Sequence, residues 1–154
     1  MLTELKSFFE NNPLAQGAAQ SIRNGREIEL IVTDGQQNFY YTFTKANNLN
    51  LIKDEKTSSP DLSFTIPKKS AQELLSNSFN NVGEVGLFIF EKMLSSDPEK
   101  KIKVKLHVGV LSLLAGGYLG VLTAGGSEVA KFLATKGLSS LGKLKEAISK
   151  LKSS

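Results

Sequence analysis

Residues able to do chemistry are scarce in this sequence. It holds no cysteine and one histidine, His107. That excludes a disulfide scaffold, a thiol nucleophile and cysteine-ligated metal, and it leaves little for zinc or triad-type hydrolysis. His107 alternates with lysines along a polar strand face, so it reads as a solvated surface residue with no catalytic role. Glu27, Glu29, Asp34, Asp54, Glu55 and Asp61 are of the type that pairs for acid–base work. The pattern places them on exposed strand faces and turns, where solubility accounts for them. Phosphate-loop, dinucleotide, metalloprotease and nucleophile-elbow motifs are missing. The expectation is a protein that is not an enzyme, with no catalytic residue, no metal ligand and no cofactor.

Charge is the second chemical signal. Residues 1–98 carry 9 Lys/Arg against 12 Asp/Glu, a net of −3, whereas residues 99–154 carry 10 Lys against 3 Glu, a net of +7. A basic terminal third suits an anionic partner, a phospholipid surface or nucleic acid, or is simply a solvated lysine face. Nucleic acid is the weaker partner, because these lysines come without arginines or stacking aromatics.

The elements that position these residues follow from periodicity. The chain has 154 residues, 40% of them apolar and 22% charged, which suits one globular domain. Leu2, Leu5, Phe8 and Phe9 recur at helical spacing, and a second helix starts at Pro13 with Leu14, Ala18 and Ile22 on one face. The start, Met1–Leu14, has no secretory pattern, so the cytoplasm is the expected location. Alternation then takes over in Glu27–Asp34 and Asn38–Thr44 across an Asp34-Gly35 turn, and continues in Leu49–Lys53 and Leu62–Ile66. Ser70-Ala71-Gln72-Glu73 reads as a capping box opening a helix. Val85–Leu94 is a further apolar stretch ended by Asp97-Pro98. Lys101–Val110 reads as a last strand, with Ile102, Val104, Leu106, Val108 and Val110 on its apolar face.

This order resembles the sterol carrier protein type 2 (SCP-2-like) lipid-binding domain. The residues that carry the resemblance are Glu27-Ile-Glu-Leu-Ile-Val-Thr-Asp-Gly35, Pro60-Asp61-Leu-Ser-Phe-Thr-Ile66, the Ser70–Asn77 helix, Lys101-Ile-Lys-Val-Lys105 and Gly109-Val-Leu-Ser-Leu-Leu114. The link before the last strand, Glu91–Lys100, is longer than the family's, Leu106 stands where a glycine usually ends that strand, and the chain runs on through Thr123–Ser154. The resemblance implies an α/β (α+β) fold, with one mostly antiparallel curved sheet of about five strands covered on one face by helices. It also implies an apolar cavity between them for a fatty-acyl or sterol-like ligand. The expected lipid-binding residues are Phe79, Leu87, Phe88, Phe90, Leu94, Leu111, Leu114 and Leu119. The expected division is a lipid-binding domain over 1–122 and a helical basic extension over 123–154.

Independently, Val85–Leu94 and Val108–Leu122 hold more large apolar side chains than one sheet face needs. Such a surplus covers a ligand, a partner or lipid. Leu106–Ser127 carries no charged side chain, which leaves a membrane span, shallow insertion and a pocket-lining helix as readings; 17 residues as helix reach about 25 Å, short of the ~30 Å hydrocarbon core. In Ser139–Lys152, Leu141, Leu144, Ile148 and Leu151 form a narrow stripe among Lys143, Lys145, Lys150 and Lys152. That pattern fits contact with an anionic membrane, a coiled-coil seam or docking on the chain's own domain. The function expected is therefore non-enzymatic binding, with or without transfer, of a fatty acid, phospholipid or sterol-like ligand by a monomer or homodimer in the cytoplasm or peripherally on a membrane. The alternative is a membrane-associated or self-associating structural module of the same fold with its cavity filled.

Overall fold

The computed structural model describes residues 1–124, 130–131 and 134–135. Strands β1 (Glu27–Thr33), β2 (Asn38–Ala46), β3 (Leu49–Lys53), β4 (Leu62–Pro67) and β5 (Lys103–Leu106) form an open mixed sheet in the order β3-β2-β1-β4-β5. Neighbours are antiparallel except the central pair, β1 and β4, which run parallel. Helices pack on this sheet, giving the α+β class expected from the sequence.

Alternation explains the strands. Ile28, Leu30 and Val32 of β1 sit beside Phe43, Tyr41 and Phe39 of β2 and beside Leu62, Phe64 and Ile66 of β4. Most of these side chains join Ile52, Leu106, Leu5, Ile22, Leu113 and Tyr118 in one contiguous buried cluster that fills the space between sheet and helices. The β1–β2 turn is built by Asp34, whose Oδ1 accepts from the amides of Gln36 and Gln37 at 2.9 Å. Those bonds hold its carboxyl below the ordinary aspartate value. The β2–β3 turn is a two-residue connection with Asn47 and Asn48 both left-handed, φ 53° and 63°. Asn24 clamps it, accepting from the Asn48 amide at 2.8 Å.

Several local expectations are corrected. Helix α1 (Leu2–Lys6) passes into a wider π-helical turn, Ser7–Asn11, before α2 (Pro13–Ala18). Helix α3 (Lys68–Ser76) starts ahead of Ser70, so Ser70 caps nothing; its hydroxyl donates to the Lys100 carbonyl at 2.7 Å, and Glu73 pairs with Lys92. The capping interaction falls one helix later, where Asn81 accepts from the Glu84 amide at 3.0 Å to open α4 (Val82–Met93). The last strand is four residues rather than ten: its ladder with β4 runs from Leu62 opposite Leu106 to Thr65 opposite Lys103, and β4 begins at Leu62, so it offers no strand partner beyond Leu106. Val110 instead begins α5 (Val110–Ala115), followed by α6 (Tyr118–Ala124). Gly117 separates the two at φ +85°, where an added Cβ would stand 1.8 Å from the Ser21 carbonyl oxygen. Among the described residues no helix is long and apolar enough to cross a membrane.

Candidate functional site

The apolar residues expected to bind lipid divide into three groups. Phe79, Leu87 and Phe88 come together: with Asn77, Glu84 and Glu91 they line a shallow groove of about 250 Å³ at α4. The Phe79 and Phe88 rings meet edge to face with centroids 5.8 Å apart, and Lys92 Nζ lies 5.1 Å from the Phe88 centroid. Phe90 and Leu114 are half-buried outside that groove. Leu94, just past α4, is 54% exposed and Leu111 on α5 is 81% exposed. Leu119 falls in α6, with its side chain outside the described ones. Of the seven whose side chains are described, none belongs to the packed cluster between sheet and helices, and Phe79 and Phe88 pack instead against a second buried cluster of Phe8, Ala15, Leu74 and Val85. Lys143, Lys145, Lys150 and Lys152 lie outside the described residues, as does most of 123–154.

Two acids expected on exposed faces are buried. Glu29 is 6% exposed, and its Oε2 accepts from Ser63 Oγ at 2.8 Å across the β1–β4 ladder. Ser63 Oγ in turn lies 2.6 Å from His107 Nε2, so exposed His107 has a buried partner after all. With the Ser63 hydroxyl donating to Glu29, the serine oxygen is left to accept from the imidazole nitrogen. The second acid, Asp61, accepts from Tyr118 Oη at 2.8 Å and pairs with Arg26 Nη1 at 3.3 Å. Arg26 also donates to Ser112 Oγ, which fastens α5 and α6 to the start of β4. Burial first, then hydrogen bonding to and the charge of Asp61, push the Tyr118 phenol far above its ordinary value.

A larger cleft lies between α2 and the β2–β3 hairpin. It measures about 620 Å³ and is lined by Gln16, Gly17, Gln20, Lys45, Asn48, Leu49 and Asn50. Lys45 is 4% exposed, and burial lowers its pKa. Asn50, its partner across the β2–β3 ladder, is also buried and donates from Nδ2 to the Phe9 carbonyl at 2.9 Å. No sequence motif announces this pair, yet strand parity does. Lys45 shares a face with Tyr41 and Phe43, and Asn50 shares one with Ile52, so both fall on the core side.

Among the described residues no group of three or more His, Asp or Glu side chains is placed to hold a metal ion. Comparison with known proteins finds no matching family model, no matching characterised protein and no matching solved structure.

Proposed function

We propose that the protein is a non-enzymatic binding module for an acyl lipid or sterol-like ligand, which lies against α4 in the Phe79–Leu87–Phe88 groove. The observation that carries this reading is the state of α4. Its Leu87, Phe88, Ile89 and Phe90 are only half-buried, although the helix is apolar along most of its length. An apolar surface left part-open on a folded domain is a contact surface for something apolar. An acyl chain supplies about 0.8 kcal/mol per buried methylene and needs few polar anchors. The element order carries the resemblance to the sterol-carrier type, and the basic residues of 139–152 suit peripheral contact with anionic lipid in the cytoplasm.

The test is native mass spectrometry of the full chain, followed by titration with a fluorescent fatty acid. Lipid should copurify, and Leu87→Glu should weaken binding at least about tenfold, the equivalent of ~1.4 kcal/mol, with unchanged circular dichroism. A folded Leu87→Glu variant that binds as the parent does would remove the groove from the reading. A specific observation favours the second reading, a self-associating module with its cavity filled: the sheet–helix interface is packed by one contiguous cluster. Lipid-free protein that sediments as a dimer would select it.

A further inference from the structure

We propose that the cleft between α2 and the β2–β3 hairpin is a binding site for a small carboxylate that also carries a hydroxyl or amino group. This inference is independent of the lipid reading, since it concerns a different surface and a polar ligand. The cleft volume of about 620 Å³ is within the range of small-molecule sites.

Two of its lining groups lack the partners that buried polar groups normally have. Lys45 Nζ reaches the Asn48 carbonyl at 3.4 Å, and no carboxylate among the described residues pairs with it. A surface lysine usually extends its ammonium to water, whereas this one is held on the core face of β2. Burying an unpaired charge costs stability, and a bound anion would offset that cost. Asn50 is the second group. Its Nδ2 donates to the carbonyls of Phe9 at 2.9 Å and Ala15 at 3.5 Å, which fixes which way round the carboxamide lies. Flipping it would set oxygen against two carbonyl oxygens. Its Oδ1 is therefore left as a buried acceptor with no hydrogen bond.

Lys45 and Asn50 are direct cross-strand partners on the core face, and a cation beside an orphan acceptor calls for an anion that also donates a hydrogen bond. The lining residues include a single charged side chain and no arginine fork. One ammonium matches a monoanionic carboxylate better than a phosphate dianion. Leu49, 60% exposed at the mouth, gives a short apolar substituent a wall, and Gln16 and Gln20 add amides beside it.

The test uses 15N-labelled full-length protein and 2-hydroxy-4-methylpentanoate as probe. Its addition should shift the side-chain amides of Asn50 and Gln20 saturably. 4-Methylpentanoate, which lacks the hydroxyl, should bind about tenfold or more weakly, and inorganic phosphate more weakly than the hydroxy acid. Lys45→Met should abolish the shifts while its melting temperature stays level or rises, because the substitution removes a buried charge and keeps the volume. Absence of saturable shifts at ~10 mM, equal affinity for the analogue without hydroxyl, or tighter binding of phosphate would each overturn the proposal. So would retained binding by Lys45→Met. Unfolding of Lys45→Met would also overturn it, since the ammonium would then be a structural contact of the Asn48 turn.

Discussion

The two faces of the sheet are buried for different physical reasons. On the inner face Ile52 is sealed by Phe43 and the apolar cluster around it. On the outer face Thr42 is equally sealed, but by the segment after β3 folding back: its Oγ1 donates to the Glu55 carbonyl at 2.8 Å, and Thr57 Oγ1 donates to Glu27 at 3.2 Å. Ser63 and Glu29 extend that polar layer through Glu29 Oε2, while Glu29 Oε1 is left buried without a hydrogen bond. Apolar burial is additive and tolerant of partner, whereas polar burial requires each donor to meet its acceptor. Hydropathy alternation marks only the first kind, which is why the outer face looks solvated in sequence.

Three substitutions sharpen or break this contrast. Ile52→Ala removes inner-face volume that its neighbours cannot refill, and should cost about 2–5 kcal/mol in urea unfolding. Tyr118→Phe tests the seam where apolar and polar burial meet. Losing the bond to the Asp61 carboxylate should cost about 1.5–3 kcal/mol near neutral pH. The folded-state pKa of this phenol is raised, so its contribution is complete below the ordinary value of 10.0 and is lost as pH climbs beyond it. The variant should accordingly lose less stability than the parent between pH 10 and 11. Thr42→Val keeps shape but deletes the outer-face hydroxyl, and should cost about 1 kcal/mol. A Thr42→Val cost as large as that of Ile52→Ala would dissolve the distinction between the faces, and no cost at all would make the outer layer a passive cover.

The strands were legible because period-two alternation is local: β1, β3 and β4 begin where the pattern begins, and the Asp34-Gly35 turn closes as its residues dictate. Ser70 and Glu73 do not form the expected capping box because they find tertiary partners, Lys100 and Lys92, that no local rule foresees. The final strand is shorter than its pattern because the alternation runs on to Val110 while β4 begins only opposite Leu106, and no local window of sequence contains that partner. Three of the eight apolar site residues converge because Phe79, in the segment leading into α4, folds back onto Leu87 and Phe88 in the middle of that helix. Leu94 and Leu111 are exposed because neither a resemblance in element order nor an apolar stretch says which side of a helix is covered. The burial of Glu29 and Asp61 is not legible because a charged residue in or beside an alternating strand is ordinarily at the surface, whereas here Ser63 and Tyr118 hold them in the interior.

The parallel pairing at the centre of the sheet also has a kinetic consequence. Strands β1, β2 and β3 find one another through two tight turns, a local event on the microsecond scale. Strand β4 must return across 34 residues to set Ser63 beside Glu29, and the Ser63–His107 contact spans another 44. Each longer loop pays its closure entropy before any contact rewards it, so the meander precedes the centre of its own sheet. Until β4 arrives, β1 offers an unpaired edge to any other nascent chain, and the rate of that return sets how long the hazard lasts.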